Sequence, residues 1–409
     1  MSAPGTLPSE GRSSAPAADG AAAEGQPLSR SYALRIAVFF SALFMVAGTK
    51  LPYLPVWLDW RGLDKAEIAV ITAAPLFLRI VGGPLVAMAA DWWGDRRQAT
   101  VVLAAIALAG AVALAFADGF WPILVVTLVS ALAAMGLMPL AEVLAMSGVR
   151  RGSLDYGRMR LWGSVSFVAI GFVAGAAIAV HGAGSVLVLL IVGSAVTLAA
   201  ALLLPRDPEA RGGDQARRSR GAFWRLSIGP AFLLFLLAAG AVQASHAVFY
   251  TFGVIEWRQQ GLSANWAATL WAIGVAAEIA LFAYSRAVVA RLGPVLLIGS
   301  GALAGLLRWT VMAFDPPLAA LLPLQALHGL TFGAAHLGAL HFISVHVAPA
   351  DAATAQALYA SVTAGIGLGL ATLASGPLYA AIGSQSYIAM AGLCGVAIVA
   401  AIALRKVTE

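Results

Sequence analysis

Hydrophobic and polar positions in this chain come in blocks rather than in alternation. Apolar runs of about 20 residues, enough for a helix to cross the ~30 Å hydrocarbon core of a bilayer, follow one another with short polar breaks. Backbone groups in lipid must be satisfied within the segment, so runs of this length predict helices. They fall at 34–58, 66–90, 98–117, 122–146, 159–180 and 184–204, then at 226–254, 264–288, 294–313, 318–346, 354–379 and 385–404. Between the two sets lies the one long polar stretch after the N-terminus, 205–225, which carries Arg206, Arg211, Arg217, Arg218, Arg220 and Arg225. The pattern predicts an all-α integral membrane protein with twelve transmembrane helices. They fall into two pseudo-symmetric six-helix bundles, 33–204 and 226–404, joined by the basic linker 205–225. Residues 1–32, rich in Ala, Gly, Ser and Pro, read as a disordered tail with no cleavable signal peptide, and 405–409 as a short second tail.

Composition sharpens this picture. The 409 residues are 61% hydrophobic and 11% charged, against about 25% charged in an ordinary soluble domain. Too little polar surface remains to coat a globule in water. The net charge of +6 does not point to nucleic acid, because the cations sit in loops. Arg30, Arg35, Arg96, Arg97, Arg150, Arg151, Arg158, the linker arginines, Arg286, Arg291, Arg405 and Lys406 fall on one side, and Arg61, Lys65 and Arg258 on the other. The asymmetry predicts cytoplasmic termini and a cytoplasmic linker. Cys394 stands alone, so no disulfide framework exists within the chain.

Candidate chemistry lies with ionisable residues inside the apolar runs, where a charge costs at least about 2.5 kcal/mol without a partner or water. They are Lys50, Arg79, Glu142, Arg160, Glu278 and Arg308, with His246, His328, His336 and His341. Lys50 either snorkels to the nearer interface or faces a cavity. Glu142 and Arg160 sit on antiparallel neighbours, where an ion pair would be either a fixed clamp or an exchangeable pair. Gln325, His328, Phe332 and His336 recur at helical spacing and mark one stripe. Glu278 and Arg308 lie on adjacent helices. A carboxyl poised between a dry cavity and a nearby arginine can change protonation as a solute arrives. The six charged residues sum to an excess of two cations, which favours an anionic solute. Trp57, Trp162, Phe249, Tyr250 and Trp271 are candidates for aromatic walls. No phosphate loop, nucleophile elbow, HExxH or Cys/His metal spacing occurs. An enzyme, a metal site and a cofactor are therefore not expected.

The segment 87–97 (AMAADWWGDRR) resembles the conserved loop of the major facilitator superfamily, with Asp91, Gly94, Arg96 and Arg97 matching. Ala87, Trp92 and Asp95 depart from the usual Gly and basic residues. The stretches AGTKLPYLPVWL (47–58), YGRMRLWGSVSF (156–167), QASHAVFYTFGVIEW (243–257), WAIGVAAEIALF (271–282) and QALHGLTFG (325–333) are similar to the lactose permease and phenylpropionate permease branch. The resemblance covers the chain from about residue 33 and implies alternating access by rocking halves. It makes Glu142 and Arg160 a substrate pair, puts Phe167 where a sugar-stacking Trp would stand, and gives Lys50 a cavity-lining position. It assigns Glu278 and His328 to proton coupling and Arg308 to substrate. Arg79 and His246 are further substrate-binding candidates. Asp91, Gly94, Arg96 and Arg97 become a conformational switch. Thr331 replaces a proton-carrying Glu, which leaves Glu278 or a histidine as the carrier. The implied function is proton-coupled uptake of a small organic solute, an aromatic or other monocarboxylate first. Proton-antiport drug efflux and sugar or nucleoside symport are the alternatives. The implied partners are the solute, the proton and the lipid bilayer. The chain is expected to be a monomer in a bacterial-type inner membrane, with the proton gradient in place of a cofactor.

Overall fold

The computed structural model describes residues 30–93, 95–150, 154–205, 226 and 229–408, and these contain no strand. The first half is α1 (Arg30–Trp60), α2 (Lys65–Trp93), α3 (Arg96–Ala113), α4 (Phe120–Arg150), α5 (Tyr156–His181) and α6 (Ser185–Leu203). The second is α7 (Pro230–Ala244), α8 (Ala247–Gln259), α9 (Ala264–Ala283), α10 (Ser285–Met312), α11 (Leu318–Ala326), α12 (Ala335–His346), α13 (Ala352–Ala360), α14 (Leu368–Ile382) and α15 (Tyr387–Thr408). Polar residues at the breaks start several helices. Asp95, Asp155 and Ser263 accept from the backbone N–H groups of Gln98, Arg158 and Trp266, satisfying donors that have no partner within the first turn. The linker 206–225, the tail 1–29 and Gly94 lie outside the described residues, and so does the Asp91 side chain.

Eleven helical runs among the described residues are long and apolar enough to cross a membrane, where twelve were expected. The difference lies in Ala352–Thr408, which counts as one run of 57 residues. A straight helix of that length would measure ~85 Å. Gly383, at φ 55, interrupts it, and a 3-10 turn (Gly383–Ser386) separates α14 from α15. The two arms then pack on different neighbours, α14 on α2 and α15 on α7 and α10.

Three expected spans, 226–254, 318–346 and 354–379, are not regular helices. The span 226–254 becomes α7 and α8, broken at Ser245–His246. α10 kinks at Gly293 (φ 69) just before Pro294, whose ring and missing N–H prevent a continuous helix. The span 318–346 carries a π-helical turn (Gly329–Ala334) between α11 and α12, a distortion that often marks functional sites. A second π turn, Ser361–Gly367, joins α13 to α14.

Among the described residues the two halves share an apolar core at one end. At the end where the linker attaches, each half keeps its own apolar core. One holds Ile36, Phe39, Phe40, Leu144 and Leu204, and the other Phe235, Ile298, Phe342, Ile343 and Leu404. At the far end a single core takes Tyr53, Trp57, Ile68 and Ile178 from the first half with Phe249, Phe252, Trp257 and Tyr379 from the second. α2 packs on α14 and α5 on α9. Both contacts use glycine. A β-carbon at Gly376 would lie 2.6 Å from the Lys65 carbonyl oxygen and from Ala69, and one at Gly175 2.8 Å from the Ala264 carbonyl oxygen. The Tyr53 hydroxyl lies 3.2 Å from the Gly171 carbonyl oxygen and 3.5 Å from that of Ala264, at the seam. Next to it, Lys65 pairs with Asp59, and Arg61 reaches Asp118 at 3.0 Å.

Gly376→Leu is expected to hold α14 off α2 and part the far end. Spin labels at the exposed positions His181 and Gln385 should then report longer distances than in the parent protein. An unchanged distance distribution would show that the glycine contact does not set the closure.

Candidate functional site

Several backbone irregularities meet at one buried arginine. Arg308 on α10 is fully buried (0% exposed). Its Nη2 donates to Gln325 Oε1 of α11 at 2.6 Å, and its Nη1 donates to Thr331 Oγ1 in the first π turn at 3.2 Å and to His328 Nδ1 at 3.3 Å. The guanidinium also lies over the rings of Trp309 and Phe249, at 4.4 and 4.7 Å. Every one of these partners is neutral, and Nε has no hydrogen-bond partner. A cation enclosed this way without a carboxylate is costly.

The break between α7 and α8 supplies a second layer. Ser245 Oγ donates to the Val242 carbonyl at 2.7 Å, and His246 Nδ1 lies 3.0 Å from the same oxygen. Side chains that compete for a helix carbonyl in this way disturb the helix locally. His246 Nε2 then lies 3.1 Å from Thr331 Oγ1, and Trp309 Nε1 donates to Ser245 at 2.9 Å.

Donor counting assigns the protons. The arginine can only donate, so His328 Nδ1 accepts and its Nε2 carries the hydrogen. That nitrogen is 4.0 Å from Glu278 Oε2 on α9. Thr331 accepts from Arg308 and donates to His246 Nε2, which leaves the His246 Nδ1–H for the Val242 carbonyl. Both histidines are held as defined neutral tautomers, the first aimed at a carboxylate.

Aromatic rings form an adjoining wall. Trp271 stacks on Phe249 at 5.0 Å and on Tyr250 at 5.9 Å. Phe167, from α5 of the other half, reaches Trp271 at 6.3 Å. The indole N–H of Trp271 is buried without an acceptor. Phe249 and Trp271 belong to the same far-end core as Trp57, but the Trp57 ring lies under the Arg61 guanidinium at 5.3 Å, and Trp162 is 57% exposed.

The first half contributes Arg160 and Glu142, but not as a direct ion pair. Tyr156, one turn before Arg160, donates to Glu142 Oε1 at 3.4 Å. The Arg160 guanidinium lies over the Phe44 ring at 4.0 Å. Its charge acts on Glu142 and, across the interface between the halves, on Glu278.

Other candidates lie elsewhere. Lys50 lines a separate cavity within the first half. Arg79 is exposed, in a crevice between α2 and residues 357–365. His336 stacks on Phe332, 5.9 Å from it, and meets the Tyr359 hydroxyl at 3.4 Å, whereas His341 contacts only its neighbour Ser344. Arg97 donates to the Leu202 carbonyl at 2.5 Å, tying α3 to the end of α6, and Arg96 opens α3 beside it. Gln325, Thr331 and Tyr156 were not singled out as site residues. Each stands three or four positions from a residue that was, on the same helical face.

A buried cation beside packed aromatic rings, with a carboxylate–histidine pair next to it, is suited to binding an anion. Among the described residues no three metal-ligating side chains come together. The MFS_1 like family model matches residues 33–389. The chain belongs to that family. It is therefore a membrane transporter and not an enzyme, and the resemblance to the phenylpropionate permease branch is borne out. A probable 3-phenylpropionic acid transporter of Escherichia coli (strain K12) is 30% identical over 362 residues, covering 87% of this chain and 93% of that protein. A maltose permease of Geobacillus stearothermophilus is 30% identical over 351 residues, covering 83% and 86%. Among solved structures, the nucleoside transporter NupG superposes with a TM-score of 0.80 at 18% identity, over 92% of this chain and 99% of that one. A bacterial homolog of the lysosomal transporter Spinster, inward-facing and unoccupied, gives 0.71 at 17% identity, over 93% and 98%. These two likenesses establish the fold.

Gln325→Leu removes the acceptor nearest Arg308 and leaves a buried charged donor unmet, at a cost of about 1–3 kcal/mol. Denaturant unfolding of the purified protein in detergent should show that loss. A neutral result would mean that Arg308 has another acceptor.

Proposed function

We propose that this transporter takes up a small organic monocarboxylate, with an aromatic one preferred, together with a proton. The observation that carries this reading is Arg308, buried and surrounded only by neutral partners. A substrate carboxylate supplies the missing charge, with Arg160 as the second cation from the other half. Phe167, Trp271, Phe249 and Tyr250 receive the ring, and the free indole N–H of Trp271 supplies a further donor. His246 acts through Thr331, fixing the hydroxyl that holds Arg308.

Glu278 and His328 carry the proton. An ionised Glu278 attracts both Arg160 and the His328 Nε2–H. Protonating it releases both and raises the charge of the chamber by one. An arriving carboxylate lowers it by one, so proton and anion load together without a net change. Loading of both then favours the opposite opening through differential stabilisation of the two states. The shared far-end core and the separate linker-end cores support a state open toward the linker.

The asymmetry of the loop charges supports a cytoplasmic linker and cytoplasmic termini in a bacterial-type inner membrane. Ala352–Thr408 then crosses twice, and the bundles 33–204 and 226–404 form a twelve-span monomer. Asp91, Gly94, Arg96 and Arg97 act as the conformational switch at the cytoplasmic ends of α2 and α3. A second reading, sugar uptake, is favoured by the maltose permease relative. Phe167 in place of a stacking Trp and the unmatched charge on Arg308 weigh against it.

In liposomes with an acid exterior, the protein should accumulate 3-phenylpropionate. Glu278→Gln should reduce this accumulation to the level of empty liposomes while leaving exchange of labelled for unlabelled substrate. Gradient-driven accumulation retained by Glu278→Gln would contradict the coupling scheme.

A further inference from the structure

Lys50 poses a problem that the transport site does not solve. It lies twenty residues into α1 and is only partly exposed. Val46, one turn earlier on the same face, sits against Gly193 of α6, so this face of α1 looks into the first half and not toward the second. Lys50 lines a partly open cavity of about 70 Å³ bordered by α1, α3, α4 and α6. Among the described residues neither a hydrogen bond nor an ion pair reaches its ammonium group.

The polar groups facing the same space are hydroxyls. Thr127 and Ser194 are buried, and Ser130 lines the same space beside Gly110 of α3. Ser130 donates to its own helix at the Val126 carbonyl, at 2.7 Å. Thr127 Oγ1 has no partner at all, although a buried hydroxyl ordinarily finds one. The remaining walls, Val46, Leu54, Ala111 and Leu190 among them, are apolar. A positive group, a free hydroxyl donor and no carboxylate in a small chamber are the complement of an anion.

We infer that this cavity binds one small monovalent inorganic anion of halide size, seated between Lys50 Nζ and the hydroxyls of Thr127 and Ser194. A space of ~70 Å³ exceeds the ~10–15 Å³ that a single water requires. It admits a halide with part of its hydration shell, and is too small for an arylalkanoate. A doubly charged oxyanion would leave one charge unmatched against apolar walls. The bound anion ties α1 to α4 and α6 from inside the first half, away from Arg308. It is therefore separate from the substrate anion.

The test uses the full chain purified in detergent, with thermal unfolding followed in chloride or bromide against gluconate at constant ionic strength. A ligand that binds only the folded state raises the melting temperature with its concentration. The parent protein should melt higher in chloride and bromide than in gluconate, with the difference growing as halide increases. Lys50→Met and the near-isosteric Thr127→Val should each abolish that difference. If Lys50→Met does not fold, Thr127→Val decides alone. Equal melting temperatures in all three salts for the parent, or a halide response that survives either substitution, would overturn the site.

Discussion

A guanidinium with no counter-charge, held out of water, is the constraint around which the second half is built. Arg308 is enclosed by α7, α8, α10, α11 and a π turn, and each element gives up regular helical geometry or a side chain to surround it. α7 stops at Ser245, so that His246 and Ser245 can support Thr331 and Trp309. The π turn carries Thr331 and follows His328 directly. Hydrogen bonds to a charged donor in a low-dielectric interior are individually strong, and losing one leaves the donor exposed to the full desolvation cost. Such a cluster rigidifies its surroundings yet leaves one unit of charge unbalanced, and a ligand can balance it.

That imbalance also links the two halves. Arg160 approaches from α5, and its charge reaches Glu278 on α9, the helix that packs on α5 at the far end. Phe167 and Trp271 meet along the same pair of helices. Chemistry and closure therefore share α5 and α9. A change in the charge of Glu278 acts on an interface that also opens and closes. Glycine at the two cross-half contacts lets backbones approach closely, as is usual between membrane helices.

Much of this was legible in the sequence. Run length gave helices in nearly the right places, because the backbone has no alternative in lipid. Periodicity marked the stripe Gln325–His328–Phe332–His336, and its members do stack and bond on one face. Hydropathy reports depth and not the direction in which a helix turns its face. That is why Lys50 and Arg79 were grouped with Arg308, and why Trp57 and Trp162 were counted as cavity walls. The polar segment QASH (243–246) marks the break at Ser245–His246, but the apolar residues on both sides make the whole stretch read as one span. Glu142 and Arg160 do not meet directly: Tyr156, which opens α5 one turn before Arg160, donates to Glu142. The final run counted as one because α14 and α15 are both apolar and only Gly383 interrupts them.

The most direct measurement compares two ligands that differ only in charge. Isothermal titration of the purified parent protein with 3-phenylpropionate and with its primary amide isolates the contribution of the carboxylate. If Arg308 is the seat of an anion, the acid binds at least about tenfold more tightly than the amide, a difference of roughly 1.4 kcal/mol. Equal affinities, or tighter binding of the amide, would show that the buried cation serves the architecture alone.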